Sequence, residues 1–398
     1  MPKTKIFIIL FSLALAISAC LKTHSDDQSL SNVDSEECIP PLTTFAYQVN
    51  APRSTLSWNQ ILPHSPWQVE THLPALPPNT RSRDAIVLHR TYDGIDEIWV
   101  VRNITSTVDI LSKTITELLV YQPETQTWNE IPTELSVLDA TLYDVYMGMD
   151  GTIWAEFATE PFPVPHGERF IAIYNQDENL FKLVKDLRNL QYAVIKFDPK
   201  GTFWIVVDYT GIYSFNPTTQ EYKLNLAISD RLAYGNPRGV AIAPDGSLYL
   251  AKWNEILTEP TILLHYIPDT GELVEINVPL TSIDNFYDVF VDHSGRLWLD
   301  DLGWMEPNGS WYQIVRSPIF ISNKQEEARP YTWPTAQLYF ESSDGRLWFG
   351  STNGEAWLDP DNGKWCLFTT EHAGVTEDHN QVVWAVIDEL LYKLFLSP

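Results

Sequence analysis

The stretch Asp344-Gly345-Arg346-Leu347-Trp348 decides the fold, because its pattern recurs along the chain. A turn with Gly, one spacer, an apolar residue and an aromatic return as Asp150-Gly151-Thr152-Ile153-Trp154 and Lys200-Gly201-Thr202-Phe203-Trp204. They return again as Asp245-Gly246-Ser247-Leu248-Tyr249 and Ser294-Gly295-Arg296-Leu297-Trp298. A looser copy, with two extra residues in the turn, runs from Asp93 to Trp99, and a degenerate copy without Gly runs from His379 to Trp384. The closing aromatics stand at 99, 154, 204, 249, 298, 348 and 384. A period of about 40–50 residues with strand-and-turn composition points to propeller blades rather than helical solenoids.

Each unit reads as four strands. In the fourth copy, residues 240–243 and 248–251 flank the Asp-Gly hairpin, and residues 262–266 and 273–277 follow on either side of Pro268-Asp269-Thr270-Gly271. Gly takes positive φ at no steric cost, which suits the tight hairpin. Outer strands open with an aromatic, as at Trp128 and Trp311, but the seventh unit has no such strand after residues 390–395. Trp67-Gln68-Val69-Glu70 is of that type and belongs to no blade of its own. The expected fold is therefore all-β, a seven-bladed β-propeller of four-stranded antiparallel blades over residues 67–398. Its last blade is closed by the N-terminal strand, which removes an exposed sheet edge. The repeated Trp154, Trp204, Trp298 and Trp348 are expected between blades.

The balance of 52 acidic against 26 basic residues, a formal net charge of -26, excludes nucleic-acid binding, because phosphates would be repelled. Lys3 and Lys5 precede an apolar run over residues 6–17, too short to span a bilayer, which needs about 20 residues. That run suits a secretory signal. It ends Ile17-Ser18-Ala19-Cys20, which resembles the lipobox of bacterial lipoproteins. This resemblance implies a signal peptide over residues 1–19 and a lipidated Cys20. Residues 20–44 then form an acidic, polar tether, and 45–66 a lead-in to the propeller. The expected place is extracytoplasmic, at a bacterial membrane held through the lipid alone, and the expected state is a monomer. An oxidising compartment permits a disulfide between Cys38 and Cys366, and two unrelated thiols are the alternative.

Residues 343–360, Ser-Asp-Gly-Arg-Leu-Trp-Phe-Gly-Ser-Thr-Asn-Gly-Glu-Ala-Trp-Leu-Asp-Pro, resemble the two-component-regulator propeller repeat. Residues 285–298 share its leading Asn and first-strand pattern, and the other units keep mainly the turn and the aromatic. The family is typical of extracytoplasmic sensors and also occurs as free-standing lipoproteins. The resemblance implies binding, often of a saccharide, without chemistry.

The residues themselves show no catalytic motif. The nine His are scattered, and no H-E-x-x-H, Cys-rich metal spacing, G-x-S-x-G elbow or phosphate loop occurs. Residues 237–246 do resemble a blade opening of propeller lactonases and lyases, which is a signature of fold. Asp300-Asp301 and Asp208 invite a metal, but adjacent carboxylates are more often solvated surface, so no metal or other cofactor is expected.

Loops on the face opposite the Asp-Gly turns are the candidate ligand surface. They carry Asp208, Tyr209, Trp253, Asn254, Asp300, Asp301, Trp304 and Asn353, and the blade-to-blade connections add Tyr234, Arg238 and Tyr287. Aromatic planes beside carboxylates and amides suit sugar rings, although each ring could instead cover a blade edge. The favoured expectation is non-catalytic binding of a small molecule, such as a saccharide, or of an envelope protein. The alternative is a lyase or lactonase with a metal held in the central channel.

Overall fold

The computed structural model describes residues 37–38, 46–48 and 68–395, less the segments 107–114, 134, 136–139, 149, 160–167, 188–192, 199, 208–209, 228–236, 253–260, 281–285, 287, 315–336, 352–353, 362, 370–373 and 388. Seven small antiparallel sheets stand in a ring, giving a seven-bladed β-propeller. Among the described residues no helix is long and apolar enough to cross a membrane.

The repeated turn has a repeated geometry. In blade two, Gly148 N–H donates to Thr152 O and Gly151 N–H to Gly148 O, each at 2.9 Å. The same two bonds recur in blade four from Ala243 and Gly246, in blade five from Asp292 and Gly295, and in blade six from Ser342 and Gly345. Blade seven makes them from Asp378 and Gln381. The turn residue must take positive φ, and Gln381 does so at 62° without being Gly. In blades five, six and seven the indole of the closing Trp bonds back to the turn. Trp298 Nε1 donates to Asp292 Oδ2 at 2.9 Å, and Trp384 Nε1 to Asp378 Oδ2 at 2.9 Å.

Blade one corrects the reading of a looser turn. Tyr92 pairs directly with Ile95, so the turn is only Asp93-Gly94, with φ of 51° and 77°. Both central residues have positive φ, as the tightest class of hairpin requires. The two extra residues, Asp96 and Glu97, lengthen the strands Thr80–Tyr92 and Ile95–Ser106. Glu97 Oε2 then accepts the Trp99 indole N–H at 3.0 Å, in place of the usual turn residue.

Packing follows the ring. Seven apolar clusters lie one at each boundary between neighbouring blades, as where Trp154 and Ile171 of blade two meet Phe203 and Ile205 of blade three. Trp154, Trp204, Trp298 and Trp348 all fall in these clusters, as expected. Buried aromatics of this size dominate the hydrophobic term.

The ring closes as the sequence implies. Gln68–His72 from the N-terminal side pairs with Leu390–Phe395 and completes blade seven. Two shorter segments upstream also pair, Glu37–Cys38 as a fifth strand on blade six and Ala46–Gln48 as a fifth strand on blade five. Buried polar bonds lock the seam between blades seven and one. The fully buried Arg102 of blade one donates to Glu117 Oε2 at 2.9 Å, to Pro74 O at 3.0 Å, and to Glu389 in the last hairpin. Glu70 of the closing strand accepts from Tyr121 of blade one at 2.9 Å and pairs with Lys393. Gly374 lets the innermost strands of the two blades meet, since a Cβ there would lie 2.4 Å from Ala85 O.

Two stability outcomes follow and can be checked by urea denaturation. Arg102→Met leaves Glu117 and Glu389 without their buried cation and is expected to cost about 3–5 kcal/mol. Gln381→Gly relieves a left-handed side-chain position and is expected to add about 1 kcal/mol.

Candidate functional site

Charged side chains on or beside the innermost strands of three blades form the candidate site. Asp144 lies in the innermost strand of blade two, Thr141–Met147, and Lys196 in that of blade three, Ala193–Asp198. Asp288 directly precedes the innermost strand of blade five, Val289–Val291. All three are half-buried. Asp144 and Asp288 hold the same place in their blades, each one residue before a Val paired with the residue after the closing Trp. The corresponding residues elsewhere are Ile86, Val194, Gly239, Gln337 and Gly374.

Blades three and five are not neighbours, yet the Lys196 ammonium acts on both carboxyls. Gly239 of blade four makes this reach possible. A Cβ at Gly239 would lie 2.3 Å from Asp288 Oδ1 and 2.6 Å from Asp288 Cα, so only Gly allows Asp288 to cover that strand. Each carboxylate also accepts the backbone N–H of the following Val at 2.8 Å. The Asp288 N–H is itself held by Asp300 Oδ1 at 3.2 Å.

Burial pushes both carboxyls above the ordinary value of 3.8, against the pull of Lys196. Behind Asp144 stands a second layer. Glu156 accepts from Arg169 Nη1 at 2.6 Å and from the Tyr146 hydroxyl at 3.0 Å. Burial outweighs the Arg169 charge and raises Glu156 to about 7. The Arg169 guanidinium lies 4.1 Å from the centroid of the exposed Tyr143 ring. Burial opposes the Arg169 charge, but Glu156 and Tyr143 outweigh it and raise its pKa. The arrangement offers carboxyls raised by burial, a cation that acts on two of them, and one aromatic face.

The residues expected from the loops fare differently. Asp300 and Asp301 are buried at 1% and 3% exposure, not solvated. Asp300 positions Asp288 through its backbone, so it supports the cluster from behind. Trp304, at 2% exposure, is stacked between Trp298 and Tyr312 with centroids at 4.7 and 5.0 Å, and its indole donates to Glu306 at 2.8 Å. That ring belongs to the packing of blade five. Arg238 lies on the innermost strand of blade four, Pro237–Ile242, with its side chain outside the described residues. Asp208, Tyr209, Tyr234, Trp253, Asn254, Tyr287, Asn353 and the lipidation candidate Cys20 also lie outside them. Asp144, Lys196 and Asp288 become visible in the sequence only when the units are aligned on their closing aromatics. Asp144 and Asp288 then fall in one column with Ile86, Val194, Gly239, Gln337 and Gly374, and Lys196 stands two residues further along its strand.

No family model and no curated protein matches this chain. Its fold is similar to that of solved propellers. One is YCF48 bound to D1 peptide, with a TM-score of 0.54 and 13% identity over 84% of this chain and 99% of that one. Another is YCF48 from Cyanidioschyzon merolae, with a TM-score of 0.52 and 12% identity over 82% of this chain and 99% of that one. The extracellular domain of the putative hybrid two-component system BT3049 from B. thetaiotaomicron also matches, with a TM-score of 0.47 and 14% identity. That match covers 80% of this chain and 41% of the other.

Removing the shared cation tests the geometry. In Lys196→Met, both Asp144 and Asp288 are expected to titrate at higher pH than in the unaltered protein, read from their carboxyl carbon resonances by NMR. Unmoved resonances would separate Lys196 from the cluster.

Proposed function

We propose that this chain is an extracytoplasmic, lipid-anchored propeller that binds a protein partner on its channel face without catalysis. The observation that carries the reading is the Asp144–Lys196–Asp288 cluster, on or beside the innermost strands of three blades. Two carboxyls against one ammonium, in a chain of net charge -26, favour a ligand segment that brings a basic group. A propeller of similar fold is solved with a peptide bound, which supports a peptide as the class of ligand. Saccharides, implied by the repeat's resemblance, are the competing ligand.

The location rests on the lipobox-like end of the apolar run at Cys20 and on the state of Cys366. Cys366 is disulfide-bonded, and Cys38 faces it across the ladder of blade six. We take Cys38 as its partner. A bond of this kind is usual in exported proteins and rare in the cytosol.

Calorimetric titration with Lys- and Arg-containing peptides and with oligosaccharides tests the proposal. The expected result is peptide binding that Asp144→Asn combined with Asp288→Asn weakens at least about tenfold, or about 1.4 kcal/mol. Both carboxyls are held above 3.8 without ligand, and an arriving cation lowers them. Binding should therefore release protons, and affinity should rise with pH through the acid range above that value. Peptide binding indifferent to both substitutions would overturn this site, oligosaccharide binding would replace the ligand class, and lactone or glycan turnover would favour the enzyme.

A further inference from the structure

A second cluster lies on the opposite rim, where blade seven meets blade one. His89 Nε2 and His379 Nδ1 each stand 3.2 Å from one oxygen, Asp96 Oδ1, and the two imidazole centroids are 5.8 Å apart. One donor atom from each of the three residues lies within 4.8 Å of the others. We propose that His89, Asp96 and His379 form a Zn²⁺ site that clasps the last blade to the first, with solvent as fourth ligand.

The donor distances support this assignment. Tetrahedral zinc, with ligands at about 2.0–2.2 Å, places its donors roughly 3.3 Å apart, and two of the three spacings here are 3.2 Å. Two imidazoles and one carboxylate suit zinc, whereas calcium and magnesium take oxygen donors. The side chains differ in burial in a useful way. His89 is buried and fixed in a long strand, and His379 is exposed, leaving one side open to solvent and to an arriving ion. Thr91 Oγ1 donates to the same Asp96 oxygen at 2.8 Å and orients the carboxylate.

Comparison with the other seams sets this cluster apart. Across the seam of blades five and six, His293 is held by Glu341, and across that of six and seven, Ser343 is held by Glu377. Each is a latch from one turn residue to one carboxylate of the next blade. His379 and Asp96 repeat that latch, and His89 adds a third donor that neither other seam has. The addition follows from the two extra residues of blade one, which bring Asp96 beside His89 on the lengthened hairpin. A plain latch needs only two groups.

Cobalt and zinc titrations of the full chain test the proposal. One Co²⁺ per chain is expected, with the visible absorption of a tetrahedral nitrogen–oxygen site, displaced by Zn²⁺, and Zn²⁺ is expected to raise the thermal midpoint. His379→Ala changes an exposed side chain and should fold, yet it should lose the cobalt band and weaken Zn²⁺ at least about tenfold. His293→Ala, at a different seam, should bind as the unaltered protein does. No saturable binding at micromolar metal, or equal binding by His379→Ala, would reduce the cluster to a hydrogen-bonded latch.

Discussion

Ring closure is the constraint on which everything else depends. A blade has two faces and buries each only against a neighbour, so the seven apolar clusters form a cycle with no natural end. If the cycle opens at one boundary, two blade faces meet water together. The protein ties that boundary in three ways. The closing strand Gln68–His72 supplies backbone pairing, Arg102 supplies a buried three-way tie, and Glu70 links the strand to both blades. An isolated buried charge would be costly, but Arg102 is tolerable because carboxylates and a carbonyl surround it.

Most of the fold was legible in the sequence because its signal is periodic. In blades five to seven the turn, the positive-φ residue and the aromatic are tied together by hydrogen bonds, which hold even where Gly is replaced by Gln381. Blade one departs from the expected turn for an equally physical reason. Extra residues between Gly94 and Trp99 look like a larger turn, but alternation lets them extend the strands while the turn shrinks to two residues. The site was less legible. Loop aromatics attract notice in a sequence, yet Trp304 serves packing, and nothing local distinguishes it from an exposed ring. Asp144, Lys196 and Asp288 lie in three different blades, and only the ring brings them together.

The channel cluster also shows how burial and charge compete at one place. Desolvation raises Asp144, Asp288 and Glu156, and the nearby cations offset only part of that rise. Carboxyls raised in this way are sensitive to any charge that enters the channel. Gly239 is as much a part of the cluster as the charges, since a single added carbon would displace Asp288 from its position.

The pairing of Gln68–His72 with Leu390–Phe395 sets an order of events in folding. Contacts between residues more than 300 apart close a very large loop, and such contacts are slow to reach. Six blades can assemble as their strands are made, but the seventh waits for the two ends to meet. Until then the outer edge of Leu390–Phe395 is an unpaired template open to any strand, including that of another copy. The step that completes the ring is therefore also the step at which the chain is most exposed to association.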